Sequence, residues 1–288
     1  MHSIVRCILP VVALVALLAG CEKEEETPLA PLPPIEGAIH ARYSVGDSTT
    51  VVFAMGNLQY HAVQRKWCFA ANQYDIVGYG NNGIDTTYNG WIDLFGWGTS
   101  GYDDKVPYMT DDTATHYGNG QADIAGTQYD WGEHNAISNG GNTAGTWRTL
   151  TAAEWRHLLN YRESASVKRG MATIETKGGE VTGLVLLPDE WNIPGGCSFQ
   201  PGNGGGFATN VYSVTQWNQM QDSGAVFLPA AGYRDRMTTS FVGSYGAYWT
   251  GSYQTEQTAY ECSFQSTRLE ITTASRSNGQ SVRLVQER

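Results

Sequence analysis

Gly243-Ser244-Tyr245-Gly246-Ala247-Tyr248-Trp249-Thr250-Gly251-Ser252 opens a carboxy-terminal stretch that closes with Gly279-Gln280-Ser281-Val282-Arg283-Leu284-Val285. Nothing between these ends settles into a helical period. Short apolar and polar runs bounded by glycine are the pattern of brief strands joined by turns. Tyr248-Trp249-Thr250, Tyr260-Glu261-Cys262-Ser263-Phe264 and residues 281–285 are therefore expected to be strands. Strands this brief, joined by glycine-rich turns, suit a rigid core that carries loops, although a fold alone does not fix a function.

Working outward, Val51-Val52-Phe53-Ala54-Met55, Leu58-Gln59-Tyr60-His61-Ala62 and Lys66-Trp67-Cys68-Phe69-Ala70 read as further strands. The last two are close enough in sequence for an antiparallel hairpin. Residues 78–147 are rich in Gly, Asn, Asp and Tyr and show little periodicity. A connection of that length is uncommon unless it is ordered. Trp91, Phe95, Trp97, Trp131 and Trp147 are expected to anchor it, because each ring buries much area at few rotatable bonds. The clearest helix starts at Thr151-Ala152-Ala153-Glu154, a capping box, with Trp155, Leu158 and Leu159 on one face. Ser213-Val214-Thr215-Gln216 is a second capping box, followed by an apolar stripe of Trp217 and Met220 and a stop at Gly224. Gly183-Leu184-Val185-Leu186-Leu187-Pro188 and Ala225-Val226-Phe227-Leu228-Pro229 are continuous apolar runs of the kind found in buried strands. Helices with several short antiparallel strands make an α+β domain.

Ahead of this domain, Arg6 and the apolar run 8–18 form a leader too short to span a bilayer as an anchor. Leu18-Ala19-Gly20-Cys21 resembles a lipoprotein signal, with residues 1–20 removed and Cys21 acylated, so that lipid holds the chain on a membrane. Residues 21–36 then form an acidic and proline-rich tether. Its Glu22-Lys23-Glu24-Glu25-Glu26 run resembles the mark for surface export in one phylum of gut gram-negative bacteria. The expected location is the outer membrane, lipid-anchored and surface-exposed. The formal net charge is −10 and no basic stripe is present, which argues against a nucleic-acid partner. Charged residues make up only 16% of the chain against about 25% in typical proteins, and polar and aromatic loop formers take their place.

Gly56-Asn57-Leu58-Gln59-Tyr60, the run Gly90-Trp91-Ile92-Asp93-Leu94-Phe95-Gly96-Trp97-Gly98-Thr99-Ser100-Gly101-Tyr102, Trp147-Arg148-Thr149-Leu150-Thr151 and Phe227-Leu228-Pro229-Ala230-Ala231-Gly232-Tyr233-Arg234 recur together with the closing segment. Taken together, the chain resembles a family of bacterial surface lipoproteins. Their fold is similar to C-type-lectin-like domains, to formylglycine-generating enzymes and to the paralogous repeat domain of a rumen cellulose degrader. The resemblance covers residues 37–286. It implies a C-type-lectin-like domain over residues 37–288, with long ordered loops and a binding face made largely by residues 243–280. Some members of the broader group are rewritten by diversity-generating retroelements in the last strands and loops. Carried onto this chain, that implies ligand contacts at Tyr253, Gln254, Glu256, Gln257, Tyr260, Arg268, Ser275 and Asn278, with a glycan or a protein as ligand.

Catalytic chemistry finds less support. A metal-assisted enzyme on the formylglycine-generating scaffold needs paired thiols, yet Cys68, Cys197 and Cys262 stand far apart in sequence and match no zinc spacing. Cys68 sits in an apolar run and is expected to be a buried small hydrophobe. His40, His61, His116, His134 and His157 show no metal-binding spacing either. Asp103-Asp104 and Asp111-Asp112 offer oxygen ligands for calcium. Asp189 and Glu190 are adjacent, so on an extended segment they point apart and do not suit paired-carboxylate hydrolysis. Of the aromatic residues, exposed ones such as Tyr102 or Tyr253 are the candidates for stacking on sugar. A structural role in a surface assembly remains a third reading.

Overall fold

Val51 to Phe53 and Leu284 to Val285, at opposite ends of the domain sequence, are buried together. The computed structural model, which describes residues 34–202 and 204–288, shows why. Strand β2 (Thr50–Phe53) lies between β1 (Tyr43–Ser44) and β16 (Leu284–Glu287), and β6 (Arg148–Thr149) completes this antiparallel terminal sheet on the far side of β16. Val285 sits opposite Phe53, so two segments distant in sequence hold each other. The leader, Cys21, the acidic run and the spacer up to residue 33 lie outside the described residues. Among the described residues, no helix is long and apolar enough to cross a membrane.

The expected hairpin forms as β3 (Leu58–His61) and β4 (Lys66–Phe69), with the short β5 (Trp91–Ile92) on the other edge of β3. Cys68 departs from expectation. It alternates with the buried Trp67 and Phe69, so its side chain falls on the half-buried outer face.

The two long apolar runs are neighbours in a four-stranded sheet. β8 (Gly179–Leu186) pairs with β10 (Val226–Pro229) on one side and β7 (Arg169–Thr176) on the other, and β9 (Asn210–Ser213) adds in parallel to β7. Period-two alternation splits its side chains between two cores. Met171, Leu184, Leu186, Val226 and Leu228 face the main core with Tyr43, Phe53, Trp155 and Leu158. Ala172, Ile174, Val185 and Phe227 face the other way, against Trp217 and Met220. Both faces are covered, which explains runs that are apolar without interruption.

The helices follow their caps. Thr151 accepts from the Glu154 amide and Glu154 accepts from the Thr151 amide at the head of α2 (Ala152–Arg156). Its apolar face continues through a π-turn at 157–161 that keeps Leu158 and Leu159 buried. Ser213 and Gln216 cap α3 (Val214–Asp222) in the same way. Gly224 then adopts φ 99°, and an added Cβ would meet the Ala41 Cβ at 2.5 Å, so glycine is required at this stop. The short α1 (Trp131–His134) lies inside the long loop region.

Phe95, Trp97, Trp131 and Trp147 are fully buried in that region, with Leu58, Phe69, Trp249 and Leu284 beside them. The Trp97 indole donates to the Thr250 carbonyl at 2.9 Å and the Trp249 indole donates to the Phe95 carbonyl at 2.7 Å. These reciprocal bonds lock the long loop region onto β13 (Gly246–Tyr253). β13, β14 (Thr258–Gln265) and β15 (Arg268–Ser275) form the last antiparallel sheet, and β11 (Tyr233–Asp235) with β12 (Thr238–Ser240) is a separate hairpin. The class is α+β, dominated by sheet.

Candidate ligand-binding face

The closing segment is less open than its sequence suggested. β13 is buried along most of its length, and Glu261, Cys262, Ser263 and Phe264 of β14 are buried as well. Residues 276–285 are almost all framework too. The open parts of residues 243–280 are therefore Gly243 and Ser244, the edge strand β15 and the two ends of the last sheet. The reason is that β13 and β14 are covered on both sides, by the main core around Tyr248 and Cys262 and by the tryptophan core around Trp249 and Ala259.

At one end is the β13–β14 turn. Gln254, Glu256 and Gln257 are exposed there, and Glu256 and Gln257 take the central positions between Thr255 and Thr258. Threonine side chains brace the turn. The two hydroxyls of Thr255 and Thr258 share a hydrogen bond at 2.7 Å, the Thr255 hydroxyl accepts from the Gln257 and Thr258 amides, and Thr258 donates to Gln254. The long loop region supports the same end. The Gln121 amide donates to the Glu256 carboxylate, the Tyr253 amide donates to Asp123 at 2.7 Å, and the Ile124 amide donates to the Gly251 carbonyl at 2.9 Å. Beneath the turn, the Arg276 guanidinium lies between the rings of Trp97 at 4.7 Å and Tyr253 at 4.9 Å. It donates to the carbonyls of Tyr117 and Gly120, while its backbone amide donates to Gln257.

Tyr253, Gln254, Glu256, Gln257 and Ser275 are thus brought together, since Ser275 lies opposite Thr258. The Asn278 amide donates to the Ser275 carbonyl, which keeps Asn278 at the same end. Tyr260 is set back along β14, half-buried, with the Arg156 guanidinium over its ring at 5.0 Å. Arg268 does not belong to this group. It pairs in register with Gln265 at the opposite end of the sheet and bonds Glu270 at 2.8 Å. In strands of eight residues, the two ends are about 25 Å apart. Gln121, Asp123 and Arg276 escaped the sequence reading. The first two come from the glycine-rich loop region, and no local signal links them to a turn 130 residues away.

Three of the four aspartates that offer oxygen ligands for calcium have partners within the protein. Asp103 accepts from the Tyr129 hydroxyl, Asp112 pairs with Arg236, and Asp111 accepts from the Thr113 amide and bonds His116 at 2.7 Å. The Thr113 amide and then His116 hold the Asp111 carboxyl below the usual range. Among the described residues, no three His, Cys, Asp or Glu side chains converge on a common point. All three described cysteines are free thiols, and burial pushes the Cys262 thiol far up. Asp189 accepts from the Ser44 amide and hydroxyl and pairs with Arg162 at 3.0 Å, so it serves the framework.

Of the aromatic candidates, Trp97 is core, Trp91 packs edge-on against His61 at 4.8 Å, and Tyr102 is exposed against the edges of Tyr129 and His134. Among the open rings that the sequence did not reveal is Phe241. It is 57% exposed, stacks on Tyr233 at 5.9 Å and adopts φ 59°, a strained value for a bulky residue.

Comparison with protein-family models, with curated proteins and with solved structures gives no match.

Proposed function

We propose that this chain is a surface-anchored binding lipoprotein with a C-type-lectin-like fold, and that the end of the last sheet around Gln254, Glu256 and Gln257 contacts the ligand. One observation carries the reading: a polar, exposed turn is braced by threonine bonds and by Gln121 and Asp123, above a framework that is otherwise buried. Such bracing lowers the entropy lost on binding, because the contacting backbone is already ordered. The paired chain ends and the long loop region between them are consistent with the lectin-like plan. Lipidation at Cys21 and display on the outer membrane are part of the same proposal and rest on the sequence of the leader and tether.

The exposed side chains of the turn are polar and the Tyr253 ring gives one face to Arg276, which supports a protein ligand over a glycan. The test is capture of surface and host proteins by the purified protein, alongside a glycan array. Replacing Gln254, Glu256 and Gln257 together by alanine is expected to abolish capture while the melting temperature stays within about 2 °C, since exposed turn side chains contribute little to stability. Capture that survives this triple substitution places the binding face elsewhere.

A further inference from the structure

Arg169 stands apart from the other arginines that are not exposed. Arg148 and Arg162 pair with carboxylates, and Arg234, Arg276 and Arg283 donate to backbone carbonyls. Arg156 lies over the Tyr260 ring. Among the described residues, the half-buried Arg169 guanidinium has no hydrogen bond, ion pair or ring contact. Burial pulls its pKa down, Cys262 acts against that shift and the cation Arg162 adds to it. A cation taken partly out of water without a counter-charge is unfavourable, and a planar guanidinium is built to hold a carboxylate by two parallel bonds.

The place is a pocket as well as a charge. Arg169 and Met171 alternate onto the same face of β7, and Leu184 sits opposite Met171 on β8. Leu269, at the start of β15, closes the other side, and Ser166 lies at the rim. The space enclosed is about 220 Å³. That is room for about seven waters at about 30 Å³ each, smaller than a drug-sized site. Its lining joins Arg169 and Ser166 to Met171, Leu184 and Leu269, with Gly170 and Gly202 between them.

We infer that this pocket binds a short aliphatic monocarboxylate, with the carboxylate on Arg169 and the hydrocarbon against Met171, Leu184 and Leu269. The site is separate from the turn at 254–257, since Leu269 belongs to the opposite end of the last sheet. It therefore stands whether or not the binding proposal holds. Hexanoate is the probe, read by the methyl resonance of Met171 and by calorimetry, with hexylamine as the control of opposite charge. Saturable binding of hexanoate at about millimolar concentration is expected, with hexylamine silent. Arg169→Gln removes no hydrogen bond, so it is expected to stay folded and to weaken hexanoate by about tenfold or more, as loss of a charge-assisted bond requires. Leu269→Trp fills the pocket and is expected to block the probe with Arg169 intact. The inference is overturned if hexanoate leaves the Met171 methyl unmoved, if hexylamine binds equally, or if Arg169→Gln binds hexanoate as tightly as the parent.

Discussion

Single residues carry much of this fold through buried polar groups. Arg283 donates to the carbonyls of Ala54 at 2.9 Å and Phe227 at 2.6 Å and to the side chains of Asn57 and Gln73. It joins the terminal sheet to β10, and burial lowers its pKa to about 10, so it remains charged at neutral pH. Arg283→Met strands the acceptors on Ala54, Phe227 and Asn57, while Gln73 keeps the Phe227 amide, and a loss of about 3 kcal/mol or more is expected in denaturant unfolding. Asp130 has the opposite sign. Its carboxylate accepts from the Thr149 amide at 2.8 Å and hydroxyl at 2.7 Å, but burial outweighs these bonds and pushes its pKa up to about 6. The native state then holds the proton more tightly than the unfolded chain. The contribution of this group is greatest below about pH 4 and is lost as pH rises through about 6. An asparagine can remake both Thr149 bonds, its oxygen accepting from the amide and its nitrogen donating to the hydroxyl. Asp130→Asn is expected to gain on the parent by about 1–3 kcal/mol between pH 4 and pH 7. A stability difference that stays flat over that range would show the carboxyl unshifted.

Elements separate what local sequence can encode from what it cannot. Both capping boxes were legible because each lies within four consecutive residues, and Thr151→Ala is expected to cost about 1 kcal/mol in thermal unfolding. The apolar runs of β8 and β10 were legible because burial on both faces leaves no polar alternation. β7 was missed. Arg169-Gly170-Met171-Ala172-Thr173 mixes charge, glycine and small residues, and it becomes a strand only because β8 and β9 flank it. β15 was missed for a related reason, since as an edge strand it carries half-exposed polar and apolar residues with no clean period. The candidate face was half legible. The resemblance names Gln254, Glu256, Gln257 and Arg268 alike, but sequence proximity says nothing about which end of a hairpin a residue occupies, and Arg268 lies at the far end of the sheet. Arg276 was passed over because its value lies in two rings brought to it from positions 97 and 253.

The whole molecule is organised by contacts between distant parts of the chain. Leu284 and Val285 pair with β2 and β6 at once, and Arg288 donates to the Thr50 carbonyl at 2.8 Å. Deleting residues 284–288 removes the strand between them, and loss of the cooperative unfolding transition in circular dichroism is the expected result. A truncated chain that still melts sharply would show that the terminal sheet is dispensable. The position of β16 also dictates when the structure can exist. A sheet that joins β2 to β16 cannot close while the segment between them is still being made. Pairings of such long sequence separation are slow to form. Strand β2 must therefore pass through an open, strand-exposing interval before β16 reaches it.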